Sequence, residues 1–268
     1  MSRILLIETS TALCSVALAV DGGIAASRES DQPRSHAAMT APFIKELLDS
    51  CGMLAPDLDA VCVSAGPGSY TGLRVGVSTA KGICFAAGVP LLSVGTLEVL
   101  VSQARAGGLI PEGCRYVIPL LDARRMEVYT AVFTPEGERL TEVEPRVIDG
   151  ESFRKERSGG PVLFIGDGAA KCSEVLAGDG ARFVQTFPHA AAMLQPALRE
   201  FEAGVFFVDG DVYCKQWCVD YAGTLHLLSA NPARQDANLR IPRDSGRSCV
   251  CFGKVLLSRP LPRPSYEF

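Results

Sequence analysis

The chain has 268 residues, of which 47% are hydrophobic and 21% charged, and its formal net charge is −4. This apolar content suffices for one large domain or two smaller ones. Proteins that grip a nucleic-acid backbone unaided carry basic surfaces, so the acidic balance argues against that class. Any role near RNA is therefore expected to run through a partner.

The first apolar run, Ile4-Leu5-Leu6-Ile7, is four residues long and is followed at once by Glu8. A secretory signal needs about 7–15 apolar residues. A membrane span needs about 20. We therefore expect a cytoplasmic protein.

The first part of the chain alternates between strand and helix patterns. Two short apolar runs joined by a Thr/Ser-rich turn and closed by Asp-Gly predict a β-hairpin. Apolar residues at spacings of three and four predict a helix over 36–51, with Pro42 as an alternative start. The predicted strands are 4–7, 14–20, 24–30, 58–64 and 89–94, and two further helices cover 72–87 and 96–104.

A second unit follows the break at Gly107-Gly108. It again combines strand and helix patterns, with strands predicted over 116–121, 127–133 and 162–165 and helices over 169–176 and 193–203. Strands that alternate with helices indicate mixed sheets covered by helices, and so an α/β fold.

Two segments are candidates for phosphate loops. The turn Glu8-Thr9-Ser10 offers short hydroxyls and backbone N–H groups, which can hold an anion. The loop Gly66-Pro67-Gly68 precedes a helix N-terminus, where anions are stabilised. The alternatives are an ordinary polar turn and a tight connection. Neither segment is a P-loop or a dinucleotide fingerprint, because the flanking pattern is missing.

Metal and hydrolase chemistry find little support in the pattern. The three histidines, His36, His189 and His226, share no HxxxH spacing. The close cysteine pairs, 214 with 218 and 249 with 251, do not have the usual zinc-knuckle spacing. Asp122 and Glu127 flank a strand turn, where a solvated role is expected. We therefore predict no catalytic residue, no metal and no cofactor.

The second predicted helix carries a stripe of small residues. Gly72, Gly76, Ala80 and Cys84 recur every four positions and so share one face. Such a face lets another backbone approach closely. The pattern leaves open whether that backbone belongs to the same chain or to a partner.

Four stretches in one order stand out along the chain. They are Ile4-Leu5-Leu6-Ile7-Glu8-Thr9-Ser10 with Cys14-Ser15-Val16-Ala17-Leu18, Gly66-Pro67-Gly68-Ser69-Tyr70-Thr71-Gly72-Leu73-Arg74-Val75-Gly76, Ser93-Val94-Gly95-Thr96-Leu97-Glu98, and Asp122-Ala123-Arg124 with Glu127-Val128-Tyr129. Together they resemble the TsaB (YeaZ) family, and the resemblance covers about residues 1–205. Each stretch alone is weak, whereas their order in one chain is specific.

The resemblance implies the two-lobed actin-like ATPase (ribonuclease H-like) superfold, in which each lobe has a mixed sheet flanked by helices. The implied boundaries are 1–105 for the first lobe and 106–204 for the second, whose last helix packs back on the first lobe in one version. Residues 205–268 depart from the family, and we expect them to be irregular. A shifted reading frame and a lineage-specific tail both explain that departure.

The resemblance also implies a non-catalytic subunit. It would support threonylcarbamoyl transfer to adenosine 37 of tRNAs that read codons beginning with A, in complex with TsaD and TsaE. The tRNA would be met indirectly, and a homodimer would form when the partner is missing. TsaD carries an HxxxH metal motif whose two positions here are Thr96 and Leu100. Leucine cannot ligate a metal.

The partner surface implied by the family lies on the helices over 36–51 and 72–87. The candidates for it are Met39, Phe43, Leu47, Gly72, Leu73, Gly76, Val77, Ala80 and Lys81. The alternative class is an independent enzyme of the same superfold, a small-molecule kinase or an M22-type metallopeptidase. A kinase should show an Asp-x-Gly phosphate hairpin, where this chain has Glu8-Thr9-Ser10. A bare dimeric binding module also remains open.

Overall fold

The computed structural model describes residues 2–32 and 35–205, with the strand backbone of 217–219 and 225–227. One compact unit spans Met1–Ala230, and the second, Asn231–Phe268, lies outside the described residues. Most of the tail prediction over 205–268 therefore falls outside them as well. Within the described part, no helix is long and apolar enough to cross a bilayer.

The first lobe is built on a five-stranded mixed sheet. Its elements are β1 (Arg3–Glu8), β2 (Cys14–Val20), β3 (Gly23–Ser30), α1 (His36–Ser50), β4 (Ala60–Ser64), α2 (Tyr70–Ala87), β5 (Leu91–Val94) and α3 (Thr96–Ala106). The strand order is β3-β2-β1-β4-β5. β1 and β2 are antiparallel, as are β2 and β3, whereas β1, β4 and β5 run parallel. The central strands are apolar along their length because helices cover both faces of the sheet.

The second lobe repeats that topology. Its elements are β6 (Tyr116–Asp122), β7 (Glu127–Thr130), β8 (Glu144–Val147), α4 (Arg154–Ser158), β9 (Val162–Gly166), α5 (Ala169–Leu176), β10 (Ala181–Gln185) and α6 (Leu194–Glu202). The order β10-β9-β6-β7-β8 is the first sheet's order read from the opposite edge. The prediction of two mixed sheets flanked by helices is confirmed. Two further strands, β11 (Trp217–Val219) and β12 (Leu225–Leu227), pair antiparallel.

The helices divide the core into layers. α1 and α2 pack side by side on one face of the first sheet, where Leu47 and Val77 share one hydrophobic core with Ile7. The opposite face is covered by the 3₁₀ turn Ala190–Met193 and by α6, which thus lies on the first lobe's sheet. α3 packs on the second sheet. α3 therefore lies where the two lobes meet.

Apart from the exceptions that follow, the predicted element bounds lie within two residues of those in the structure. The alternative start of the first helix at Pro42 is wrong, because α1 begins at His36 and Pro42 lies inside it. The strand predicted over 127–133 ends at Thr130, and Phe133 makes only isolated bridges. β8, α4 and β10 were not predicted, because all three lack a run of buried apolar residues.

Candidate functional site

The two predicted phosphate loops lie together at the carboxyl ends of the parallel strands. The Ser69 N–H donates to the Ser10 carbonyl (2.6 Å), and the Thr9 hydroxyl donates to the Gly72 carbonyl (2.9 Å). The Thr96 N–H donates to the Gly66 carbonyl (3.0 Å). This edge is where ligands usually bind in open α/β sheets.

Backbone fills the space beside the first turn. Thr9 and Ser10 are buried, as is Pro67, which follows a cis peptide bond. A β-carbon added at Gly68 would overlap Ser10, and one added at Gly72 would overlap the Thr9 carbonyl. The six candidate residues therefore form a packed junction, which we call the turn junction (residues 8–10 and 66–72).

A buried carboxyl group lies in the turn junction. Glu8 is fully buried, and its Oε1 accepts from the Ser10 N–H (2.7 Å) and the Ser64 hydroxyl (2.9 Å). Its Oε2 has no hydrogen-bond partner among the described residues, and neither do the hydroxyls of Ser10, Thr11 and Thr96. Burial raises the pKa of Glu8 more than the hydrogen bonds from Ser10 and Ser64 lower it. The carboxyl therefore keeps its proton to a higher pH than an exposed glutamate.

This arrangement is not a recognisable metal centre. Across residues 2–32 and 35–205, no three His, Cys, Asp or Glu side chains form a group able to hold a metal ion. Thr96 and Leu100, at the positions of the relative's metal ligands, are both fully buried. His36 and His189 lie on separate elements, and His226 lies in a strand whose side chains are not described.

The second lobe has an equivalent junction held by a lysine. The Asp122 N–H donates to Asp167 Oδ1 (2.8 Å), and burial raises the pKa of Asp167. The Lys171 ammonium pairs with Asp122 and donates to the carbonyls of Arg125 (2.9 Å) and Glu127 (2.6 Å). Sequence reasoning missed Lys171, because nothing in the local pattern links it to a turn more than forty residues earlier.

Removing the Lys171 ammonium should loosen the turn between β6 and β7. We expect Lys171→Met to speed hydrogen exchange at the amides of Ala123 and Glu127, because the turn loses a cation that bridges two carbonyls and a carboxylate. Hydrogen–deuterium exchange measures this. Lys155→Met on the exposed face of α4 is the control and should leave both amides unchanged. Equal effects from the two variants would contradict this role for Lys171.

The structure corrects the residues chosen for a partner surface. The small-residue stripe packs on the chain's own turn junction, because the β-carbons added at Gly72 and Gly76 would strike Thr9. Seven candidates are therefore core residues of the first lobe and offer little or no surface to a partner. These are Phe43, Leu47, Gly72, Leu73, Gly76, Val77 and Ala80. Met39 and Lys81 are half-buried.

The opposite sides of α1 and α2 are exposed and combine small or apolar residues with the charged Lys45, Glu46, Asp49 and Arg74. Phe85 on α2 is 80% exposed, and nothing lies within 4 Å of a β-carbon placed at Gly82. We call this surface the outer face. It consists of Ala37, Ala38, Ala41 and Pro42 on α1 and Ser78, Gly82, Phe85 and Ala86 on α2. The sequence did hold a signal for Phe85, since the positions that carry the helix's buried stripe turn Phe85 outward.

Comparison with known proteins places the chain in a family. The family model described as TsaD, tRNA N6-adenosine threonylcarbamoyltransferase, matches residues 21–223. A Bacillus subtilis protein named tRNA threonylcarbamoyladenosine biosynthesis protein TsaB is 34% identical over 168 residues, covering 61% of this chain and 70% of that protein. The Escherichia coli protein of the same name is 37% identical over 131 residues, covering 49% of this chain and 54% of its own length.

The fold agrees with a solved relative. The structure titled YeaZ from Pseudomonas aeruginosa has a TM-score of 0.68 and 28% identity, and the match covers 79% of this chain and 98% of that one. A second P. aeruginosa structure, titled as similar to peptidase YEAZ, has a TM-score of 0.65 and 27% identity over 77% of this chain and 95% of its own. The two-lobed fold implied by the resemblance is confirmed. The chain belongs to the TsaB family, within the wider family that the TsaD model describes.

Proposed function

We propose that this chain supports tRNA threonylcarbamoyladenosine biosynthesis as a non-catalytic subunit that binds a TsaD-type transferase. TsaE and tRNA would be reached through that complex. The names of the TsaB relatives support a role in tRNA threonylcarbamoyladenosine biosynthesis. The burial of Thr96 and Leu100 supports a role without metal chemistry of its own, because both side chains are closed off from solvent.

The outer face is the observation that carries the proposal. An aromatic side chain that is 80% exposed gains more from burial in a partner than almost any other surface group. Around it, alanine, serine and glycine leave room for two helices of a partner to approach closely. The partner would therefore lay a pair of helices against α1 and α2. The same face would join two copies of this chain when the partner is missing.

Charge on the outer face should abolish the complex without unfolding the chain. We expect Phe85→Glu and Gly82→Arg each to weaken binding at least a hundredfold, because both place a charge in a desolvated contact. Size-exclusion chromatography with light scattering and calorimetry would follow this chain with the TsaD-type protein of the same organism. Because both positions are exposed in the free chain, thermal melting should shift little.

The control is Leu140→Glu, which adds the same charge at a half-exposed leucine of the second lobe. It should leave binding intact. The proposal fails if the unaltered, folded chain forms no complex with the transferase. The interface assignment alone fails if the complex forms but Phe85→Glu and Gly82→Arg bind as tightly as Leu140→Glu.

A further inference from the structure

Two segments join the lobes within the described residues. The chain leaves the first lobe over 107–115, after α3, and returns over 186–193, between β10 and α6. We call the second segment the returning crossing. Any change in the angle between the lobes must alter its path.

One side chain of α3 holds the returning crossing at three points. Gln103 Oε1 accepts from the His189 N–H (3.1 Å). Its Nε2 donates to the Thr186 hydroxyl (2.9 Å) and to the Phe187 carbonyl (3.1 Å). An amide has one acceptor and two donor hydrogens. Gln103 therefore uses both kinds of group on one short stretch of backbone.

Further contacts hold the first-lobe end of the same segment. The Ala190 N–H donates to the buried Ser15 hydroxyl (3.0 Å), and His189 Nδ1 lies 2.8 Å from Glu29 Oε2. Ala190 and Met193 are fully buried in the first lobe's core. This end of the crossing therefore belongs to the first lobe and has little freedom to move away from it.

The helix that carries Gln103 contacts both lobes, since Val99 lies in the first-lobe core with Ala190 and Met193. Leu100 and Ala104, which flank Gln103 along α3, are buried against Leu163 and Ile165 of β9. The second-lobe end of the crossing is fixed by the Thr186 N–H, which donates to the Gly166 carbonyl (3.3 Å). A rotation of the lobes would therefore change the path of residues 186–189, and the hydrogen bonds of Gln103 to both ends of this stretch oppose that change.

We propose that Gln103 is a latch that holds the two lobes at one angle. The latch needs no ligand, because every group it uses belongs to the chain. The first lobe, which carries the outer face, therefore has a fixed orientation relative to the second lobe before any partner binds. Preorganisation of this kind lowers the ordering cost of binding a large partner.

Gln103→Ala tests the latch in the full chain without any partner. We expect exchange at the His189 amide to become at least tenfold faster, because its acceptor is gone. Single-molecule energy transfer between dyes on non-natural residues at positions 45 and 155, both exposed and in different lobes, should show a broader distance distribution. Gln103→Glu keeps the acceptor but loses both donors. Its exchange rate and its distance distribution should lie between those of the native chain and those of Gln103→Ala. It also serves if the alanine variant does not fold.

The matched control is Gln195→Ala, at an exposed glutamine of α6. It should change neither measurement. An unchanged distance distribution in Gln103→Ala would overturn the latch even if the His189 amide exchanged faster, since the hydrogen bonds would then be only local. An unchanged His189 amide would overturn it as well. Loss of transferase binding by the outer-face variants has no bearing on either result.

Discussion

Gly72→Ala is expected to destabilise the chain by about 3 kcal/mol, the upper end of the cost of overpacking a dense core. The added β-carbon would overlap the carbonyl oxygen of Thr9, a backbone atom that cannot rotate away. Relief would require α2 to move off the turn junction, which would break the hydrogen bond from the Thr9 hydroxyl to the Gly72 carbonyl. Urea unfolding followed by circular dichroism gives the free energy of unfolding.

Gly82→Ala in the same helix is the matched control. No atom lies within 4 Å of its added β-carbon, and alanine has the higher helix propensity. It should therefore stabilise the chain by about 0.5–1 kcal/mol. Opposite signs from one chemical change would show which side of α2 faces the core. A destabilisation of similar size at both positions would mean that the stripe is not packed as described.

Gly76→Ala should fall nearer the lower end, about 1–2 kcal/mol. Its added β-carbon would meet the Thr9 hydroxyl and would lie 3.3 Å from Val63 Cγ2, and both are side-chain atoms that can shift. The order Gly72, then Gly76, then Gly82 is therefore a ranking that the same unfolding experiment checks.

Glu8→Gln is expected to remove a pH dependence of stability. Burial raises the pKa of Glu8 in the folded chain, opposed by the hydrogen bonds from Ser10 and Ser64 and by the charge of His189. The folded state therefore binds the Glu8 proton more tightly than the unfolded state, whose pKa is about 4.3. Stability from this group is complete below that pH and is lost as the pH rises toward the folded pKa.

Above the folded pKa, the native chain must bury a carboxylate whose Oε2 has no described partner. Glutamine avoids that charge and keeps an oxygen that can accept from Ser10 and Ser64. At pH 8 the variant should be more stable than the native chain by about 1–3 kcal/mol. At pH 4 the two should be nearly equal. Urea unfolding at a series of pH values measures this difference.

Glu174→Gln, at an exposed position of α5, is the control and should run parallel to the native chain at every pH. Subtracting the stability curve of the native chain from that of Glu8→Gln also removes the contribution of Asp167, because both proteins contain it. The pKa of Asp167 is raised as well. The account of Glu8 is wrong if Glu8→Gln is the less stable protein at pH 8, because a paired carboxylate would then be worth more than a neutral amide.

Several features of the fold follow from local sequence. β2 and α5 have the bounds that the apolar pattern predicted. The central strands are recognisable because burial on both faces demands continuous apolar runs. β8 and β10 were missed because edge strands bury little and so carry little pattern. The resemblance of the ordered motifs added the two-lobed fold, which no local period contains.

The turn junction was half predictable. The segments at 8–10 and 66–68 were singled out from their residue types, and the structure brings them together. Whether they enclose a ligand or each other depends on packing distances that no motif encodes. The same holds for the small stripe of α2, which a sequence assigns equally well to a partner or to the chain's own backbone.

By itself the sequence determined most of the strands and helices, and through its motifs the family. Only the tertiary structure decided that the small-residue stripe of α2 packs on the chain's own turn junction, and that Gln103 and Lys171 bind segments distant in the chain. The physical reason is range. Apolar periodicity shows which face of a helix or strand is buried, but not which other element covers that face. Hydrogen bonds from single polar side chains join elements far apart in the chain, and no periodic pattern relates those elements.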